Sequence, residues 1–283
     1  MTPRARTTLE GVGLFSGHPV TCTIGPGDEG IVFVVQGTPV HASTTALTSR
    51  AVHPAFEHMP PRSTNLEGGG VAIFTVEHLC SALAALGVTD AVVELSAPEV
   101  PIFDGSARPF VEALSSVGLD GQHAGAAAPL RERLEVTSGD ASIVYEPGTG
   151  PTDETVFEYT FDHPHPALRN ATVSWTMGDV EGYISSVAPA RTFSLEVEAR
   201  QMQALGLFGH LSPRDLLVIA DDGPVENAWR FEDEAARHKL LDLIGDLSLE
   251  APLPAGRYRA TRSGHALHHE MARAVRNARG GTP

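Results

Sequence analysis

The segment F-E-D-E-A-A-R-H-K-L-L-D-L-I-G-D-L at 231–247 constrains the fold most. Read as a helix, it sets His238, Asp242 and Asp246 at i, i+4 and i+8, one above another on a single stripe. Leu240, Leu241, Leu243, Ile244 and Leu247 take the rest of the circumference. A helix that is apolar on most of its surface is packed on most of its surface, so the polar stripe is expected to be enclosed. Two carboxylates one turn apart repel each other, and burial raises that cost unless a cation or a protonated group sits with them. A divalent metal meets the need: a histidine and an aspartate one turn apart can reach one ion, and imidazole with carboxylate suits zinc, a preference shared by iron(II). For the pair alone, a solvated face with a His–Asp contact is the competing reading.

The chain around this helix reads as α+β. With 283 residues, 42% of them hydrophobic, it can bury a sizeable core as one large domain or two smaller ones. Short β-like runs at 20–24, 31–35, 71–74 and 91–95 alternate with Gly, Pro and Asn, with helical stretches at 76–86 and 109–117. The small-residue stretch D-G-Q-H-A-G-A-A-A-P at 120–129 has no apolar period and reads as a linker. Beyond it, strands are expected near 134–136, 142–145, 156–161, 172–177 and 216–219, then helices near 233–249 and 267–276. Two α+β halves, 1–122 and 129–283, are the simplest account. No residue-level repeat relates them, so a duplication would rest on element order alone.

A formal charge of -15, from 20 Lys plus Arg against 35 acids, argues against a nucleic-acid partner. Cys22 and Cys80 are too few for a disulfide framework or a thiolate metal cluster, which fits a reduced cytoplasm. No signal-length apolar stretch opens the chain, and nowhere do roughly 18 apolar residues run together as a membrane span requires. Contact with the inner membrane face would follow only from a lipid-bearing substrate.

Two further motifs carry candidate groups. In T-V-E-H-L at 75–79, Thr75 is the expected N-cap, Glu77 suits the first turn, and His78 lies about 100° further round the helix. In S-G-H-A-L at 263–267, Gly264 is expected to permit a tight backbone approach just before His265.

These motifs, with G-V-G-L at 11–14, A-P-E-V-P-I-F-D-G-S-A at 97–107, F-D-H-P at 161–164, A-R-T-F at 190–193 and R-F-E-D-E at 230–234, occur in one order over nearly the whole chain. Together they resemble the UDP-3-O-acyl-N-acetylglucosamine deacetylase family, the zinc enzymes of lipid A biosynthesis. The resemblance implies two similar domains, each a β-sheet packed against two helices, with the active site between them. It implies zinc on His78, His238 and Asp242, with one position left for water. Glu77 would act as the base, Thr192 and Lys239 would support the oxyanion, and His265, oriented by Asp246, would stabilise charge or protonate the leaving amine. The implied partner is a UDP-linked acylated amino sugar. Phe161 would pack on uracil and Arg262 would approach the diphosphate. Phe193 would lie beside the substrate, and Leu195, Met202, Leu205, Leu207 and Phe208 would line an apolar acyl passage.

The sequence departs from the family pattern at Phe15, where a histidine is usual, at Thr160, where an acid is usual, at 139–143, which lacks a lysine, and at 209–216, where a glycine-rich segment is replaced. The competing functions are a zinc amidohydrolase for another N-acylated amino sugar and a non-catalytic binder of UDP-lipids.

Overall fold

In the computed structural model, which describes residues 1–57, 61–122, 125–149 and 154–280, the first part of the chain builds a five-stranded sheet. Its strands are β1 (Thr7–Val12), β2 (Pro19–Pro26), β3 (Ile31–Val35), β4 (Thr38–His41) and β5 (Ala91–Leu95). They lie in the order β1-β2-β5-β3-β4, antiparallel except where β3 runs parallel to β5. Helix α1 (Glu77–Ala85) comes between β4 and β5, and α2 (Arg108–Val117) follows β5.

A second five-stranded sheet repeats the plan. It contains β6 (Leu134–Ser138), β7 (Ala141–Pro147), β8 (Thr155–Phe161), β9 (Ala171–Thr176) and β10 (Gly256–Thr261). Their order is β6-β7-β10-β8-β9, and again a single pairing is parallel, β8 with β10. Between β9 and β10 come α3 (Glu196–Ala204) and α4 (Glu234–Leu247), and α5 (His265–Ala278) follows β10. Strand order, strand direction and helix placement therefore match between the halves. The second half adds α3 and a small sheet of Phe193–Leu195, Leu217–Ala220 and Gly223–Pro224.

The halves meet through α1 and α4, which pack against each other. Gly245 sets their separation: a Cβ there would lie 2.1 Å from the Glu77 carbonyl oxygen, a distance no side chain tolerates. Leu79 and Leu83 of α1 and Leu241 and Ile244 of α4 join one continuous apolar cluster that runs from Phe33 in the first sheet to Phe157 and Tyr258 in the second. This contact delivers the two ends of the candidate site to each other.

Several elements differ from expectation. Strands β1, β4 and β10 are unannounced by the pattern. In β10, Tyr258 and Ala260 are buried while Arg257 and Arg259 face the other way and pair with Glu158 and Glu146. A central strand with arginines on its outer face lacks the apolar run that marks one. The run at 71–74 forms Val71–Ile73, which pairs with Leu66–Gly68 in a separate small sheet rather than joining the first one. Helix α4 ends at Leu247 and passes into a 3₁₀ turn, Ser248–Glu250. Positions 123 and 124 of the expected linker lie outside the described residues. Among the described residues no helix is long and apolar enough to cross a membrane.

Candidate active site

Helix α4 buries its polar stripe as its pattern requires: His238, Asp242 and Asp246 are at most 1% exposed. His78, from α1, arrives opposite. The Nε2 atoms of His78 and His238 lie 3.7 and 3.4 Å from Oδ1 of Asp242, with the two rings nearly perpendicular. His238 Nδ1 donates to the Ala190 carbonyl at 3.1 Å, which leaves Nε2 as the lone-pair nitrogen. Burial pulls the pKa of His238 down to about 3, so the ring is neutral. Asp242 keeps its charge: burial opposes ionisation, but positive charge beside it, on His238 at the acid pH where both titrate and on Lys239, outweighs burial and holds the carboxyl well below the usual range.

Asp242 Oδ2 accepts from Lys239 Nζ at 3.0 Å, whereas Oδ1 is buried without a hydrogen-bond partner. An ionised oxygen left unpaired in the interior is costly unless something else meets it. Two imidazole nitrogens and this oxygen converge within 4.8 Å of one another, a donor set that fits one divalent cation. Asp246, His265 and His268 also cluster, but there Asp246 Oδ2 accepts from Nδ1 of both histidines at 2.7 Å. Protons already occupy those positions, so the second group is a hydrogen-bonded network.

The site holds two proton-handling groups of opposite habit. Glu77, 3% exposed, has its carboxyl pushed up to about 7 by burial, against the pull of His265 and His78. His265, the first residue of α5, turns Nδ1 to Asp246 and Nε2 toward Asp242 Oδ2 at 4.0 Å. Burial works against its charge, but Asp246 prevails and raises its pKa to about 9. Asp246 is held well below the carboxylate range because His265 overcomes the effect of burial.

A cavity of about 440 Å³ opens beside these groups, lined by Thr192, Lys239 and His265 and, on its apolar walls, by Phe15, Phe193, Met202 and Phe208. The D-G-S turn at 104–106 fixes Thr192 across the interface, because the Thr192 amide donates to the Gly105 carbonyl at 2.7 Å. Asp104 in turn accepts from Arg230 at 2.7 Å. Arg191 makes a two-pronged contact with buried Glu234 at 2.8 and 3.1 Å, holding the segment that carries Ala190 and Thr192 against the start of α4.

An adjoining cavity of about 620 Å³ contains Phe161, Leu195, Lys239 and Arg262. Phe161 lies parallel to His163 at 6.0 Å and edge-on to Phe193 at 6.1 Å. Arg262 is engaged by Asp162 at 2.5 Å and Asp140 at 3.3 Å.

Five expectations need correcting. Thr75 does not cap α1: it has φ 62, and its hydroxyl donates to Glu99 at 3.3 Å while Val76 takes the cap position. Gly264 permits no close approach, since a Cβ there would meet nothing within 4 Å. Leu195 lines the second cavity, not the first. Leu205, which is 65% exposed, and Leu207, which packs with Phe15 and Phe56, line neither of the two cavities. Phe15 itself stacks edge-on with Phe56 at 5.2 Å and lies 5.7 Å from Phe208.

Thr64 went unmarked by sequence. Its amide donates to Glu77 at 2.9 Å and its hydroxyl to Asp246. The S-T-N segment at 63–65 has no spacing that signals this role.

Buried donors beside a cleft, an acid titrating near neutrality and a cationic histidine define a metal-dependent hydrolase assembled from two matching α+β halves. The chain belongs to the LpxC family, UDP-3-O-acyl N-acetylglycosamine deacetylase, whose profile matches residues 1–277. It is 34% identical over 275 residues to the UDP-3-O-acyl-N-acetylglucosamine deacetylase of a Nostoc strain, with 94% of each chain covered. Proteins of that name from Haemophilus influenzae and Pasteurella multocida are 35% identical over 278 residues, covering 94% of this chain and 86% of theirs.

Proposed function

We propose that the chain hydrolyses the acetamide of a UDP-3-O-acyl-N-acetylglucosamine to acetate and the free amine, in the cytoplasm, as a step of lipid A biosynthesis. The observation that carries the chemistry is the unpartnered Oδ1 of Asp242 facing two histidine Nε2 atoms at 3.4 and 3.7 Å. His78, His238 and Asp242 would hold the ion, zinc by donor preference with iron(II) as the other candidate. When bound, such a cation supplies Lewis acidity and lowers the pKa of water toward neutrality.

The chain's own groups do the rest. Glu77 takes the proton of the attacking water. The Thr192 hydroxyl and the Lys239 ammonium support the carbonyl oxygen as charge develops on it. His265, cationic beside Asp246, first steadies that charge and then gives its Nε2 proton to the leaving nitrogen, which leaves the ring neutral. Phe161 and Leu195 serve the nucleotide side, and Phe193, Met202 and Phe208 serve the acyl chain. Arg262 reaches a diphosphate only by exchanging Asp162 and Asp140 for it. In this reading 1–122 and 129–283 are the two domains, joined near 120–129, and the protein meets the inner membrane face only through its lipid substrate.

Acetate release from UDP-3-O-acyl-N-acetylglucosamine tests the proposal. Chelation should abolish release and zinc or iron(II) should restore it, whereas Asp242→Ala should stay inactive and show a reduced metal content by elemental analysis. Release from a simple N-acetyl sugar with the UDP-lipid untouched would point to a different amino-sugar amidohydrolase and overturn the assignment.

The pH profile follows from the two proton-handling groups. Catalysis needs Glu77 ionised and His265 protonated, so the rate should rise as pH passes the Glu77 value of about 7 and fall as it passes the His265 value of about 9. A bound cation favours the Glu77 anion and moves the acid limb lower. Asp246→Asn removes the main support of the His265 charge and should move the alkaline limb to lower pH, which a kcat/KM profile would reveal.

A further inference from the structure

Thr64 belongs to the first half of the chain, is fully buried and commits each of its polar groups to the site. Its amide donates to Glu77 Oε2 at 2.9 Å. Its carbonyl accepts from Val76, the residue that opens α1, at 3.1 Å. Its hydroxyl donates to Asp246 Oδ1, on α4 of the second half. With that proton given away, the Thr64 oxygen accepts from His269 Nε2 at 2.7 Å.

We infer that Thr64 is a positioning residue that locks the two proton-handling groups into one frame, its amide aiming Glu77 and its hydroxyl aiming Asp246, the partner of His265. The inference rests on the roles proposed above for Glu77 and His265. The geometry behind it is a count of lone pairs. Asp246 Oδ2 already accepts from Nδ1 of His265 and of His268, each at 2.7 Å. His268 is itself fixed by Ser263, whose hydroxyl lies 3.0 Å from Nε2. Without Thr64, Oδ1 would face only His269 Nε2 at 3.9 Å, and the carboxylate could rotate about its own axis. Rotation would swing the acceptor that sets the plane of the His265 ring. Because the same residue holds Glu77 by its backbone, a shift of the 63–65 segment displaces base and acid together. Thr64 touches no reacting atom, so its influence passes wholly through these two side chains.

The test compares Thr64→Val, which keeps the amide and the shape but lacks the hydroxyl, with Thr64→Ser, which keeps both polar groups. The valine variant should lose about 10–100-fold in kcat, with KM changed less than about 2-fold and metal content unchanged, whereas serine should stay within about 3-fold of wild type. Thr64→Cys, a weaker donor of similar size, should fall between them and carries the same comparison should valine unfold the protein. The reading that separates positioning from mere stability is a double-mutant cycle. Adding Thr64→Val to Asp246→Ala should cost less than about 2-fold, because the partner through which it acts is gone. A full multiplicative loss in that background, serine as impaired as valine, or a risen KM at unchanged kcat would overturn the inference. A wild-type enzyme that releases no acetate from the UDP-lipid would remove the functional reading and this one with it. An active wild type, an impaired Asp246→Ala and an unimpaired Thr64→Val would remove this one alone.

Discussion

Replacing Glu77 by alanine should lower kcat by about 10²–10⁴-fold, the usual contribution of a positioned base, while KM and metal content stay near those of wild type. The expectation follows from where the carboxyl sits. It is buried beside the convergent donors of His78, His238 and Asp242 but is not among them. Burial raises its pKa to about 7, toward the range in which a base is most effective near neutral pH. Glu77→Gln is the sharper variant. Its amide oxygen can still accept from Thr64 N–H, so local structure persists while basicity is lost, and the rate should fall as far as with alanine. Single-turnover acetate release with elemental analysis of the same samples reads both quantities. A glutamine variant within a few-fold of wild type would remove Glu77 from proton transfer. Loss of metal in proportion to rate would recast it as a ligand.

What the amino-acid sequence makes legible at this site is what helical spacing forces. His238, Asp242 and Asp246 share a stripe at any tertiary arrangement, and the leucines around them require burial, which the structure bears out. His78 is different. One residue after a glutamate on a short helix signals little, and its approach to Asp242 depends on how α1 crosses α4, a fact of packing rather than spacing. Two of the partners that tune the site are backbone groups: the Thr64 amide on Glu77 and the Ala190 carbonyl on His238. Backbone atoms carry no residue identity, so no motif announces them. The duplication is hidden for a similar reason. Both sheets share one strand order, yet β10 carries arginines on its outer face where its counterpart β5 reads Ala-Val-Val-Glu-Leu. The same plan is met by different residues because each strand need bury only one face fully.

The other large effect is expected at a residue without a side chain. Gly245→Ala should destabilise the protein by about 3 kcal/mol, the upper end for inserting a methyl group into a packed interior. For a chain of 283 residues, with an unfolding entropy of about 2.1 cal/mol/K per residue, that is a fall in melting temperature of about 5 °C. A Cβ at this position would lie 2.1 Å from the Glu77 carbonyl oxygen and 2.9 Å from its carbonyl carbon, so the obstacle is backbone and cannot rotate away. Relief requires α1 and α4 to separate, and the part of α1 that must move is the turn bearing Glu77 and His78. Metal affinity and kcat should therefore fall in the fraction of protein that remains folded, beyond what lost stability explains. Gly125→Ala, where a Cβ meets nothing within 4 Å, should leave melting temperature and activity at wild-type values. If calorimetry found Gly245→Ala as stable as wild type, the two helices could not approach so closely, and the distance between His78 on one and His238 with Asp242 on the other would have to be set elsewhere. As the backbone stands, a residue that touches no ligand fixes how near the two halves bring their donors.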